Sequence, residues 1–287
     1  MMISMLVRWV AKAASRNKKL LVLAGAACLS AASPVFADSE SGFSLNGFGT
    51  FGLARTTTDD VEFVRDISQP RGVSKDWSPR IDSVLGLQAA WRVTPQFEAV
   101  VQATSRYRFD KTFTPEISWA YLKYNPIPNL SLRAGRLGTE FFMMADSRWV
   151  GYSFLTVRPP GDYFWYLPFY SIHGADAAIT VPFGESVFRA KAFYGHSRGS
   201  IPLADEQWDI SGSPMVGGYL DYQYGAWQVR ASYANIHFKR DLPIAPVLKK
   251  ALGISLSSQD AAFLATQDTR THYYSLGLVY DRDMRYV

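Results

Sequence analysis

The chain has 287 residues, 48% of them hydrophobic and 15% aromatic, and a formal charge of +5. Five of its 30 basic residues (Arg8, Lys12, Arg16, Lys18 and Lys19) precede position 38 with no acidic residue among them, so 25 remain against 25 acidic ones. The excess charge therefore belongs to the first 37 residues, which removes the argument for nucleic-acid binding that a pI of about 9.2 would invite. Those residues read as a secretory signal peptide: a basic start, a short apolar run over 20–32, and Val35-Phe36-Ala37 as a small-residue cleavage site before Asp38. Cys28, the only cysteine, lies within it. A lipoprotein site there is the alternative, and Gly25 stands where a leucine-like residue is usual. After Ala37 there is no thiol and no apolar run of helix-spanning length, so a membrane-spanning chain would have to cross as a closed barrel.

From residue 43 the pattern has the period of two that marks strands. The first strand spans 43–57, with Phe43, Leu45, Phe51 and Leu53 on one face, and a polar loop follows over 59–79. Residues 85–104 form a hairpin about Thr94-Pro95-Gln96. Leu85, Leu87, Ala89, Trp91, Val93, Phe97, Ala99, Val101 and Ala103 make one apolar face, with Trp91 and Phe97 beside the turn. A strand over 116–124 puts Ile117, Trp119 and Tyr121 outward, and Asn125-Pro126-Ile127-Pro128-Asn129 turns into Leu130, Leu132 and Ala134. A long irregular segment over 138–170 follows. Alternation returns over 174–181 and 187–195, then, after a polar stretch at 197–214, from Gly218 to Tyr233 about Gly225-Ala226. An excursion over 238–268 carries two weakly helical pieces, 245–252 and 260–266, with Ser257 and Asp260 as a capping box. The last clear strand, 272–280, turns Tyr274, Leu276, Leu278 and Tyr280 outward.

About ten strands of 9–11 residues, long and short connections in alternation, and aromatic residues beside the short turns give the expected fold: all-β, an antiparallel transmembrane β-barrel occupying 38–287. The opening FGTFGLA strand and the stretch WAYLKYNPIPNLSLRAGRL, residues 119–137, resemble Gram-negative general porins. The closer likeness is to the superfamily that includes phosphate-selective porin O/P-like barrels. The resemblance implies about sixteen strands, homotrimer assembly, a loop folded into the pore and residence in the outer membrane. Residues 281–287 read as a turn and an unfinished strand without a terminal aromatic. The chain is therefore expected to be a truncated N-terminal portion of a larger porin-type barrel, one that would not insert stably alone.

Two motifs carry weaker chemistry. Gly47-Phe48-Gly49-Thr50-Phe51-Gly52 matches G-x-G-x-x-G, but strand alternation runs through it, so close packing of strands explains it better than a dinucleotide site. Gly195-His196-Ser197-Arg198-Gly199 matches G-x-S-x-G without a following helix, which leaves a hydrolase reading thin. No cofactor, metal site or enzymatic activity is expected.

The polar face carries the functional candidates: Arg92, Glu98, Arg106, Glu116, Arg133, Asp176, Arg189, Lys191, Asp221 and Arg230. In a water-filled lumen such charges tune ion selectivity, here with a modest basic bias; alternatively they pair across strands and only stabilise the wall. Segment 138–170 is rich in aromatic residues and is expected to fold against the inner wall as a constriction, presenting Asp146, Arg148, Arg158 and Asp162 to the pore. A subunit interface or rim lid is the rival placement. The function expected is passive diffusion of small hydrophilic solutes and ions, in contact with outer-membrane lipid. The alternatives are a non-channel barrel acting as adhesin or structural protein, and an exported soluble β-sandwich.

Overall fold

The computed structural model describes residues 42–281 except 67, 157, 160, 165–169 and 204–205, and leaves out the side chains of 162, 163, 201–206 and 250–252. The expected signal peptide, its cleavage site and the terminal residues 282–287 lie outside the described residues.

Among the described residues there are twelve strands: β1 (Phe43–Thr50), β2 (Val84–Arg92), β3 (Phe97–Arg106), β4 (Glu116–Ile127), β5 (Leu130–Gly138), β6 (Ser171–Phe183), β7 (Ser186–His196), β8 (Ser200–Leu203), β9 (Glu206–Asp209), β10 (Pro214–Tyr224), β11 (Trp227–His237) and β12 (Arg270–Tyr280). Ten of them form one sheet in the order β1-β2-β3-β4-β5-β6-β7-β10-β11-β12, each antiparallel to its neighbours, while β8 and β9 pair with each other. The observed fold is thus the expected all-β antiparallel sheet. Ser200–Leu203 and Glu206–Asp209 add a hairpin within a stretch expected to be plain loop.

The two faces differ as the alternation requires. Leu85, Leu87, Trp91, Val101, Leu220, Tyr222, Leu276 and Leu278 are all exposed on the outer face. Their inward neighbours Val84, Val100, Gln102, Asp221 and Gln223 are buried. A continuous apolar outer face of this extent is unstable in water and suited to hydrocarbon. At the short-turn end aromatic rings pair across strands: Phe97 stacks on Tyr124 at 4.5 Å, and Trp227 lies 4.7 Å from Tyr280. Amphipathic rings in that position suit a membrane–water interface.

One expectation of facing is corrected. Glu116 and Ile117 pair with Thr104 and Ala103, but Gln102 pairs with Trp119, so Ser118 is an extra residue in β4. This bulge reverses the phase of the strand. Trp119 and Tyr121 therefore point inward, while Leu122, 64% exposed, and Tyr124 take the outer face. Lys123 joins the inward set as a consequence.

A row of glycines brings three strands close together. Gly135 of β5, which has φ +137°, pairs with Gly174 of β6, and Gly174 pairs with Gly195 of β7. A Cβ on Gly174 would lie 2.1 Å from the Tyr194 carbonyl oxygen and 2.5 Å from the Gly195 Cα, backbone atoms held by the ladder. Gly174→Ala should therefore destabilise the sheet by about 1–3 kcal/mol through overpacking. A fall in the urea midpoint for loss of strand circular dichroism in vesicles checks it, and an unchanged midpoint would show that the strands part without cost.

The two expected helices are present as Ile244–Leu252 and Ser258–Phe263. The Ser257 hydroxyl accepts from the Asp260 N–H, as a cap should, but donates to the Asp260 carboxylate at 2.6 Å, so the cap is not fully reciprocal.

Candidate functional site: the inner wall and its loop

The segment between β5 and β6 returns across the inner face. Phe141 and Phe142 are fully buried there against Leu137, Ile172, Phe193, Met215, Ala234 and Ile236, the inward residues of β5, β6, β7, β10 and β11. Phe142 meets Phe164 edge-on at 4.8 Å, and Phe141 lies 6.3 Å from Tyr273 of β12. Farther along, Gly151 is so close to Thr50 of β1 that an added Cβ would stand 2.5 Å from its hydroxyl. One loop therefore touches both edge strands of the ten-stranded sheet. Its apolar side chains cannot remain in water, and the inner wall supplies the apolar patch that takes them.

Two ionic networks fasten this loop. In the first, Arg133 of β5 grips Asp176 of β6, Nε donating to Oδ1 at 3.0 Å and Nη2 to Oδ2 at 2.6 Å. Lys191 of β7 lies 3.2 Å from the same carboxylate and also donates to Glu140, the second residue of the loop. Arg133 reaches Glu140 as well, at 3.2 Å. Two cations and two carboxylates thus close a neutral cluster spanning three strands and the loop. Burial alone would raise the Glu140 carboxyl, but Lys191 and Arg133 outweigh it and hold it below the ordinary carboxylate range. Beside this cluster Arg230 binds Asp221 through both oxygens at 2.9 and 2.7 Å, and its guanidinium lies 3.8 Å from the ring centre of Tyr219.

The second network lies beneath the loop's distal half. Arg158 binds Asp82 at 3.0 and 2.8 Å, and Arg65 approaches the same carboxylate at 4.0 Å. Arg106 donates to Ser68 at 2.8 Å, stands 3.8 Å from Glu116, and lies over Trp149 at 4.3 Å. Arg108 also donates to Glu116, and the Tyr170 hydroxyl donates to Asp66 at 2.9 Å. Burial pushes the Tyr170 phenol up and the Arg148 guanidinium down from their usual ranges.

The structure places the expected site residues unequally. Arg106, Glu116, Arg133, Asp176, Lys191, Asp221 and Arg230 all face inward, and each is engaged with an opposite charge. Arg189 faces inward and donates to Gln223 at 3.2 Å. Glu98 pairs with Lys123 at 3.6 Å, and Arg92 is exposed beside the short turn. In the loop, Asp146 is exposed and Arg158 is half-buried on Asp82. Arg148 departs from the expected presentation to the pore: it is buried, donating to the Ala145 carbonyl at 2.6 Å and lying over the rings of Phe142 and Tyr170. Asp162 belongs to the helical turn Gly161–Phe164, and its side chain lies outside the described residues.

Sequence reasoning missed Glu140, Lys123, Arg65, Asp66 and Asp82. Only Lys123 left a periodic signal, and the Ser118 bulge masked it. Ser197 of the G-x-S-x-G match is buried, with its hydroxyl donating to the carbonyls of Ile210 and Ser213, and so it ties the ends of the β8–β9 excursion together. Among the described residues no group of three or more His, Cys, Asp or Glu is placed to hold a metal. No helix among them is long and apolar enough to cross a membrane, which says nothing of strands.

No family model and no curated protein matches the chain. Among solved structures it is similar to the loop-L8 deletion mutant of OmpT, an outer membrane protein of Vibrio cholerae, at 13% identity and TM-score 0.32, over 68% of this chain and 70% of that one. It is also similar to in-vitro folded OmpT from Vibrio cholerae in its trimer form, at 12% identity and TM-score 0.29, over 68% and 66% of the two chains.

Proposed function

We propose that this chain forms the wall and constriction of an outer-membrane porin, a water-filled path for passive diffusion of small hydrophilic solutes and ions. The observation that carries the reading is the pairing of two features on one sheet: an exposed apolar outer face, and an inner face of ionised side chains crossed by a long loop. Charges on a lipid face are costly, whereas an aqueous lumen tolerates them. Homotrimer assembly and delivery by the signal peptide belong to the same reading.

Ion pairing limits how much selectivity the wall can exert, because Arg133, Lys191, Asp176, Glu140, Arg230 and Asp221 largely neutralise one another. The residual field on the inner wall comes from groups such as Arg189, which has no carboxylate within 4.0 Å among the described residues. The proposed anion preference is accordingly mild. Planar-bilayer recording of the wall in a closed, heat-modifiable barrel tests both parts. Stepwise ohmic openings are expected from that form, and Arg189→Gln should move the reversal potential toward cations. A folded, heat-modifiable preparation with no open level would remove the pore and favour a non-channel barrel, an adhesin or structural protein.

A further inference from the structure

One region of the inner wall is built without the ionic clamps. Register sets Asn46 of β1 opposite Gln88 of β2, Gln88 opposite Gln102 of β3, and Gln102 opposite Trp119 of β4. These four residues form one row across four adjacent strands. The loop stands over the row and leaves a cavity of about 270 Å³, whose lining also includes Asp146 and Tyr152 and contains no arginine or lysine. Gln102 is 5% exposed, yet its amide has no hydrogen-bond partner among the described residues, and neither have the amides of Asn46 and Gln88. Gln88 is half-buried and Asn46 exposed, so the row presents three unengaged amides to a polar occupant.

The donor set selects the chemistry of that occupant. Each primary amide presents an acceptor and two donors, which match neighbouring hydroxyls that both donate and accept. The Asp146 carboxylate accepts from two hydroxyls at once. Trp119 and the 80% exposed Tyr152 supply ring faces for an apolar C–H surface. An anion would meet the Asp146 carboxylate in a lining that has no cation of its own, Arg106, Arg136 and Arg148 belonging to the adjoining pocket, and a cation would leave three amides unmatched on their donor side. We propose that this cavity is a binding subsite for one pyranose ring of a neutral sugar. The proposal rests on the pore reading and gives it a solute class. The volume falls just below the roughly 300–1,000 Å³ of small-molecule sites, which suits a single ring.

The test uses the purified full chain in detergent, titrated with D-glucose and separately with sodium phosphate and tetramethylammonium chloride, followed by saturation-transfer NMR and calorimetry. Saturable glucose binding with transfer to the ring C–H protons is expected, and neither ion should bind at the same concentrations. Gln102→Leu and Tyr152→Ala should each weaken glucose binding about fivefold, the loss of one hydrogen bond or one ring contact. Tyr152 is an exposed loop side chain, so its variant carries the test if Gln102→Leu fails to fold. No saturable sugar binding to heat-modifiable protein would overturn the proposal. Preferential binding of either ion, or a Tyr152→Ala variant with unchanged affinity, would do the same. Bilayer recording on the same preparation separates the two readings: conductance without sugar binding removes the subsite alone, and sugar binding without conductance removes the pore alone.

Discussion

Glu140→Gln should release the loop from the wall and cost about 3–5 kcal/mol, the usual effect of breaking a buried ion pair from one side. The cluster of Arg133, Lys191, Asp176 and Glu140 is neutral as it stands. Removing one carboxylate leaves two cations sharing Asp176, and the side chain of Lys191 is only 5% exposed. Glutamine preserves volume and one acceptor oxygen, so the loss reports charge and not packing. Limited proteolysis should cut within 139–170 in the variant at concentrations that leave the parent intact, while the β-sheet signal persists. Equal resistance in both would mean that the aromatic contacts hold the loop unaided.

Acid should act on the same carboxylate. The folded Glu140 pKa is depressed, because Lys191 and Arg133 outweigh the burial that would raise it. A depressed carboxyl contributes stability above its unfolded value, about 4.3, and that contribution is lost as pH falls through the lower folded value. Loop cleavage should therefore stay slow from neutrality down to about pH 4.3 and rise only below it. In Glu140→Gln this acid step should be missing, since no proton is left to bind at that position.

The strands were legible because alternation is a local property: each residue's face follows from its neighbours whatever the tertiary structure does. Leu85, Leu87, Val101, Leu220 and Leu276 all lie on the expected side for that reason. The phase failed where the period itself was broken. Ser118 is an ordinary polar residue with nothing to mark it as a bulge, yet it reverses Trp119, Tyr121 and Lys123 together. The short strands Ser200–Leu203 and Glu206–Asp209 are four residues each, too brief for a period to emerge from polar sequence.

The site was half legible. Arg133, Asp176, Lys191, Asp221 and Arg230 announced themselves as charges in strand phase, and the inner wall holds them all. Which of them would meet was not written locally, since Arg133 and Asp176 lie 43 residues apart and join only through the β5–β6 register. Glu140 lies two residues beyond β5, where alternation has ended, and its partners are chosen by the way the loop re-enters. Asn46, Gln88 and Gln102 were in phase as well, but neutral amides carry no charge signal, and a row across four strands becomes visible only once the register is known.

Phe142→Ala should cost about as much as the charge change, roughly 3–5 kcal/mol, by a different physical route. The ring is fully buried, edge-on to Phe164 and beneath the guanidinium of Arg148. Truncation removes its transfer free energy and leaves a cavity that the surrounding strands, held by their ladders, cannot collapse to fill. It also takes away a ring that faces Arg148 in a site where burial already disfavours the charged guanidinium. The loop should again become open to protease, but with no acid step beyond that of the parent, because no titrating group has been removed. The two changes are two residues apart and loosen the same segment, so Glu140→Gln with Phe142→Ala should cost less than the sum of the singles. Once the loop has left the wall, neither contact remains to be lost. Urea midpoints of the parent, both singles and the double variant, taken at pH 7 in vesicles, close the cycle. Strict additivity would mean that Glu140 and Phe142 hold independent parts of the wall and not one loop.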